Sequence, residues 1–157
     1  MDFLAAWTTG GMRAAFWLEE AFLYIRLTGL VTTPGRLEVI GYARRISDAL
    51  GFGAVVTDLR GATVCIEPSE LGTSSINPIH PGAIVVRRED LERALRYCWK
   101  LTEAGYEREA FTSATLAVQW ARRAASRGQL RAALEASRTV RQAQQWPPLT
   151  EPGALAA

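Results

Sequence analysis

The chain has 157 residues, a net charge of +2, 48% apolar and 22% charged residues. That is the composition of a single soluble globular domain, long enough to bury its own core. Two cysteines exclude a disulfide framework, and the small net charge makes no case for nucleic acid.

Residues 1–12, ending at Gly10-Gly11, read as a loose lead-in. Asp2 and the lack of a basic run set them apart from a signal peptide. No apolar run approaches the ~20 residues needed to cross a bilayer, so no membrane span is expected and a cytoplasmic protein is the default. Seventeen of the eighteen basic residues are arginine, Lys100 being the exception, which suggests a GC-rich bacterial source.

Ala14–Leu18 and Phe22–Thr28 read as two strands joined by a short hairpin. Leu23, Ile25 and Leu27 alternate with Tyr24, Arg26 and Thr28, the period of a half-buried strand. Gly29 ends the second strand. Thr33-Pro34 opens a helix carried by Leu37, Ile40, Ile46 and Leu50 and stopped by Gly51. Ala54–Leu59 follows as a short β-branched run bracketed by Gly53 and Gly61, the signature of a buried central strand with Asp58 near its carboxyl end. After a turn at Gly61 and a second apolar stretch, Glu67–Gly82 forms a long loop rich in proline and glycine, a functional candidate by its length.

Ala83–Arg87 is a further strand and Glu89–Ala104 a helix with the stripe Leu91, Ala94, Leu95, Cys98 and Leu101. Glu107–Phe111 is a short strand. Thr112-Ser113 caps a helix whose buried face is Leu116, Ala117, Trp120, Ala121 and Ala124. Gly128 interrupts it, and residues 128–146 form an extra basic helix ahead of a disordered tail, 147–157. The order β-β-α-β-β-α-β-α predicts an α/β fold, a mixed sheet with helices packed against it, over residues 13–127.

Three stretches at these spacings resemble a STAS-type domain, the module of sulfate transporters and anti-sigma-factor antagonists, in a divergent bacterial form. They are Leu23–Val31 (LYIRLTGLV), Val55–Gly72 with its strand, Asp-Leu and small turn, and Gly105–Ala117 (GYEREAFTSATLA). The resemblance covers roughly residues 14–124. It implies a STAS-like sheet and a non-enzymatic regulatory module that docks a protein partner. In regulatory members a Ser or Thr beyond the Asp is phosphorylated. Here that position falls on Glu67 or Pro68, with Ser69 one place on, so Glu67 would hold a permanent charge where a phosphate otherwise sits.

On this reading Asp58, Glu67, Ser69, Glu70 and Thr73 are the expected partner-binding residues, and Ser69, Ser74 and Ser75 the candidate phosphorylation sites. Partner identity stays open, with a homodimer among the candidates. Arg122, Arg123, Arg127 and Arg131 form the densest positive region and are the candidate anion or nucleic-acid contacts, though nucleic acid is the less favoured partner. Two alternatives stand beside this reading, the first implied by related folds and the second read from the arginines. One is a small-molecule or lipid-binding pocket between sheet and helices. The other is a nucleic-acid adaptor working through the C-terminal arginines.

Enzyme chemistry has little to draw on. His80, the single histidine, reads as a surface loop residue between Pro78 and Pro81. Cys65 and Cys98 read as small buried thiols. No zinc spacing, phosphate loop or dinucleotide motif is present in the sequence, and no cofactor or metal is expected.

Overall fold

The computed structural model describes residues 1–19, 21–65 and 80–144. Six strands, β1 (Asp2–Thr9), β2 (Met12–Glu19), β3 (Phe22–Thr32), β4 (Ala54–Cys65), β5 (Gly82–Val85) and β6 (Arg108–Phe111), form one sheet in sequence order. The first three strands are antiparallel; β3 through β6 run parallel. The helices are α1 (Thr33–Leu50), α2 (Leu91–Glu103), entered through a 3-10 turn at Arg88–Asp90, and α3 (Ala114–Gln144). The expected mixed α/β sheet is present.

Residues 2–9 are a strand, not a loose lead-in. Gly10 and Gly11 both take positive φ, at 52° and 81°, and close a two-residue hairpin of the kind that needs left-handed backbone at both positions. The strand is held by its side chains. Trp7 stacks on Phe16 at 4.6 Å, and the Tyr42 ring of α1 meets both edge-on. A register shift between Phe3 and Ala5 breaks the alternation that would have shown the strand in the sequence.

Two other expected boundaries move. β3 continues past Gly29 to Thr32, so the helix cap is Thr32, whose Oγ1 accepts from the Gly35 backbone N–H. β4 runs through Gly61 to Cys65 without turning, and Gly61 pairs with Thr28. A Cβ at Gly61 would lie 2.8 Å from Thr28 Cγ2. The glycine therefore serves close strand approach and not a turn.

The sheet has an apolar cluster on each face. Leu23, Ile25 and Leu27 pack with Met12, Phe16 and, from α1, Val39 and Ile46. Phe22, Tyr24, Val56, Ala83 and Val85 pack against the alanine face of α3, Ala117, Ala121, Ala124 and Ala125. Leu116, expected on that face, is 54% exposed. The small side chains let the helix lie close to the sheet, closest at Gly53, where a Cβ would meet the Ala125 Cα at 2.9 Å. The helix does not break at Gly128 but runs unbroken for 31 residues, so the separate C-terminal helix is the second half of α3. A glycine in a helix interior costs only about 1 kcal/mol, and the helix-forming Arg, Gln, Leu and Ala around it offset that.

Two glycines test this packing with opposite signs. Gly53→Ala should destabilise the fold by about 1–3 kcal/mol, because the added methyl drives β4 off α3. Gly41→Ala, in open space within α1, should stabilise by about 0.5–1 kcal/mol. Urea denaturation of the two variants checks both.

Candidate functional site

Alternation along β4 gives each face of the sheet its own polar feature. Val56 and Asp58 point to the α3 side, and Val55, Thr57 and Leu59 to the side of α1 and α2.

On the α3 side, Asp58 is 2% exposed. One oxygen accepts from Tyr24 Oη at 2.7 Å and Arg60 Nη2 at 2.8 Å; the other accepts from the Arg60 backbone N–H and Nε. Arg26 adds a longer contact at 3.7 Å and lies over the Trp17 ring. Burial pushes the carboxyl upward, but the hydrogen bonds from Arg60 and Tyr24 outweigh it and hold Asp58 below the usual carboxylate range. Burial, and then Asp58, raise Tyr24. The network sits where the register slips between Arg26 and Thr28, with Leu59 and Arg60 on β4 facing the slip. Asp58 thus acts on its own chain: it satisfies the Arg60 N–H of the bulge and fixes the Arg60 side chain.

On the other side, α1, α2 and the sheet enclose a groove of about 310 Å³. Its floor is apolar: Ile25, Leu27 and Val31 from β3, Val55, Leu59 and Val64 from β4, Ile84 from β5. Arg36 Nη2 donates to Tyr97 Oη at 2.8 Å, bridging α1 to α2 across it. At the end nearest the strand starts, Ser47 Oγ lies 2.8 Å from His80 Nε2, and the Phe52 ring packs on the imidazole at 4.8 Å. Arg108 reaches the same end and donates to the His80 carbonyl. His80 is therefore a half-buried groove residue, not a surface loop residue. Burial, then the Arg108 charge, hold it below the ordinary histidine value.

Glu67, Ser69, Glu70, Thr73, Ser74 and Ser75 lie outside the described residues, as do Trp146 and the tail 147–157. The arginine cluster is partly committed. Arg122 pairs with Glu19 and Arg127 with Glu107, which ties α3 to β2 and to the start of β6. Arg123 donates to the Gln119 carbonyl, and Arg131 is exposed further along the helix. Cys65 is exposed, contrary to expectation; Cys98 is buried, and its thiol is pushed up to about 11 mainly by that burial. Among the described residues no group of three His, Cys, Asp or Glu is placed to hold a metal, and no helix is long and apolar enough to cross a membrane. Sequence reading missed Ser47, Arg108 and Tyr97; Gly82 beside Arg108 in the sheet was the one available signal.

No protein-family model matches the chain, and no curated protein matches it. Among solved structures it is similar to an uncharacterised protein of the DUF3478 family from Shewanella loihica PV-4, described as having a SpoIIAA-like fold. The identity is 14%, over 76% of this chain and 98% of that one, with a TM-score of 0.49. The likeness concerns the fold.

The Asp58 network predicts an acid limb. A carboxyl depressed in the folded state stabilises fully above its unfolded value and loses that stabilisation as pH falls through the folded one. Stability should therefore drop below about pH 4, and Asp58→Asn should flatten that limb while lowering stability at pH 7. Tyr24→Phe, which leaves the Arg60 contacts, should cost about 1.5–3 kcal/mol, the range for a hydrogen bond to a charged group. Urea midpoints between pH 2 and pH 7 test both.

Proposed function

We propose that this protein is a non-enzymatic binding module that holds an apolar small molecule or lipid fragment in the groove between α1, α2 and the sheet. The observation that carries the reading is the groove itself. Native cores are packed to crystal-like density with few voids larger than a water. A space of about 310 Å³ on an aliphatic floor falls at the lower end of small-ligand sites, about 300–1,000 Å³. Valine and isoleucine side chains on a sheet supply contact area without hydrogen-bonding demands, so the site selects for apolar shape. The reactive candidates do not converge: Cys98 is a buried thiol pushed towards its protonated form, and Asp58 is on the opposite face.

A second reading, the docking of a protein partner, is favoured by a different observation. Leu95 and Trp99 stand four residues apart on α2, and Trp99 is 64% exposed. Exposed aromatic side chains are common anchors of interfaces. Such a partner would reach α2 and the chain that follows β4, with Glu67, Ser69, Glu70 and Thr73 as polar contacts. If it does, Trp99→Glu abolishes partner binding in a pull-down with the native host's lysate, and a retained partner counts against this second reading.

The groove reading is tested with the environment-sensitive apolar dye Nile red. Wild-type protein should enhance its fluorescence saturably. Ala94→Trp, which fills the groove from α2, should weaken binding at least about tenfold, with an unchanged circular dichroism spectrum. Undiminished binding by a folded Ala94→Trp protein would put the dye elsewhere and defeat the proposal.

A further inference from the structure

Arg108 is out of keeping with the apolar groove it enters. It stands on the edge strand β6, opposite Gly82 in the parallel register. A Cβ at position 82 would come within 2.8 Å of its Cζ and Nη1, so glycine is what lets the guanidinium lie across β5. Among the described residues its hydrogen bonds run to two main-chain carbonyls, those of His80 and Glu107. The Glu107 carboxylate is engaged by Arg127. Carbonyls satisfy N–H groups but carry no net charge, and among the described residues the Glu107 carboxylate whose charge acts on Arg108 is shared with Arg127, so a guanidinium at the wall of an apolar cavity is only partly balanced.

In one of the two neutral tautomers of His80 the neighbouring pair supplies a donor as well. With its proton on Nε2, the His80 ring donates to Ser47 Oγ, whose own O–H is then available to the groove. Burial and Arg108 together favour the neutral ring. One end of the groove thus presents a guanidinium fork and a hydroxyl; Val55, Leu59 and Ile84 form the floor, and Arg36, Arg44, Asp90 and Arg93 line it from the helix side.

We propose that Arg108, with Ser47 positioned by His80, binds the carboxylate of an apolar-tailed acid whose chain lies along the β4–β5 floor. The inference rests on the groove reading and adds the chemical class of its ligand. A carboxylate matches the guanidinium fork in two parallel hydrogen bonds and supplies the single negative charge that balances it.

Calorimetric titration with decanoate and decanol at equal tail length tests it. Decanol is the more apolar, so a plain greasy groove would favour it. The proposal expects decanoate to bind about ten- to a hundredfold more tightly, the usual worth of a charge-assisted hydrogen-bonded pair. Arg108→Gln should bring decanoate down to the decanol level and leave decanol unchanged. Gly82→Ala, which displaces the guanidinium without removing it, should do the same and serves if Arg108→Gln does not fold. Ser47→Ala should lower decanoate affinity alone. Decanol binding as tightly as decanoate would overturn the carboxylate site and leave the groove reading standing. If neither ligand binds, both fail.

Discussion

The parallel ladder between β3 and β4 is the constraint on which the rest of the molecule depends. It runs from Phe22–Ala54 to Thr32–Cys65, the longest parallel pairing in the sheet. Parallel neighbours need a crossover, and α1 supplies it between Thr32 and Gly51. Because both faces of β4 are covered, every second residue goes to a different environment. Ala54 and Val56 pack against α3 with Asp58 next on their face; Val55, Thr57 and Leu59 floor the groove. A slip of one residue would exchange these sets and place a carboxylate in the apolar groove. The Asp58–Arg60–Tyr24 network sits at the bulge, where the ladder is weakest, and holds it.

Much of this was legible in the chain. The Ala54–Leu59 run between glycines, the glycine stop at position 51 and the alternation of Leu23, Ile25 and Leu27 all mark elements that the structure contains. The errors have physical causes. Glycine reads as punctuation at positions 29, 61 and 128, yet strand or helix passes through each. At position 61 the missing Cβ makes room for Thr28. At position 128 a single glycine is too small a penalty to break a helix of good formers. β1 was hidden because its bulge disrupts the alternation.

The candidate site was far less readable. Asp58 was singled out for its place on the strand, but its partner Tyr24 lies 34 residues away and is brought to it by register alone. Ser47 and His80 are 33 apart, and Arg108 is 28 from His80. No local pattern reports such meetings. His80 lies among prolines, which resembles a surface loop; it is drawn inward because Pro81 hands its carbonyl to Val55 and so ties this segment to the sheet. The β-branched residues of Ala54–Leu59 mark a buried strand, but nothing in that run reports the groove that Val55, Thr57 and Leu59 line.

The second half of α3 alters what the domain can transmit. Beyond Ala125 the helix leaves the sheet and continues to Gln144. At 1.5 Å per residue that is an arm close to 30 Å long beyond the Gly53–Ala125 contact, tied near its base where Arg127 meets Glu107. A tilt of about 5° at this fulcrum moves the far tip by roughly 2 Å, several times the shift at the sheet. A shift of β4 at that contact would therefore be enlarged at the arginine-bearing end of the arm.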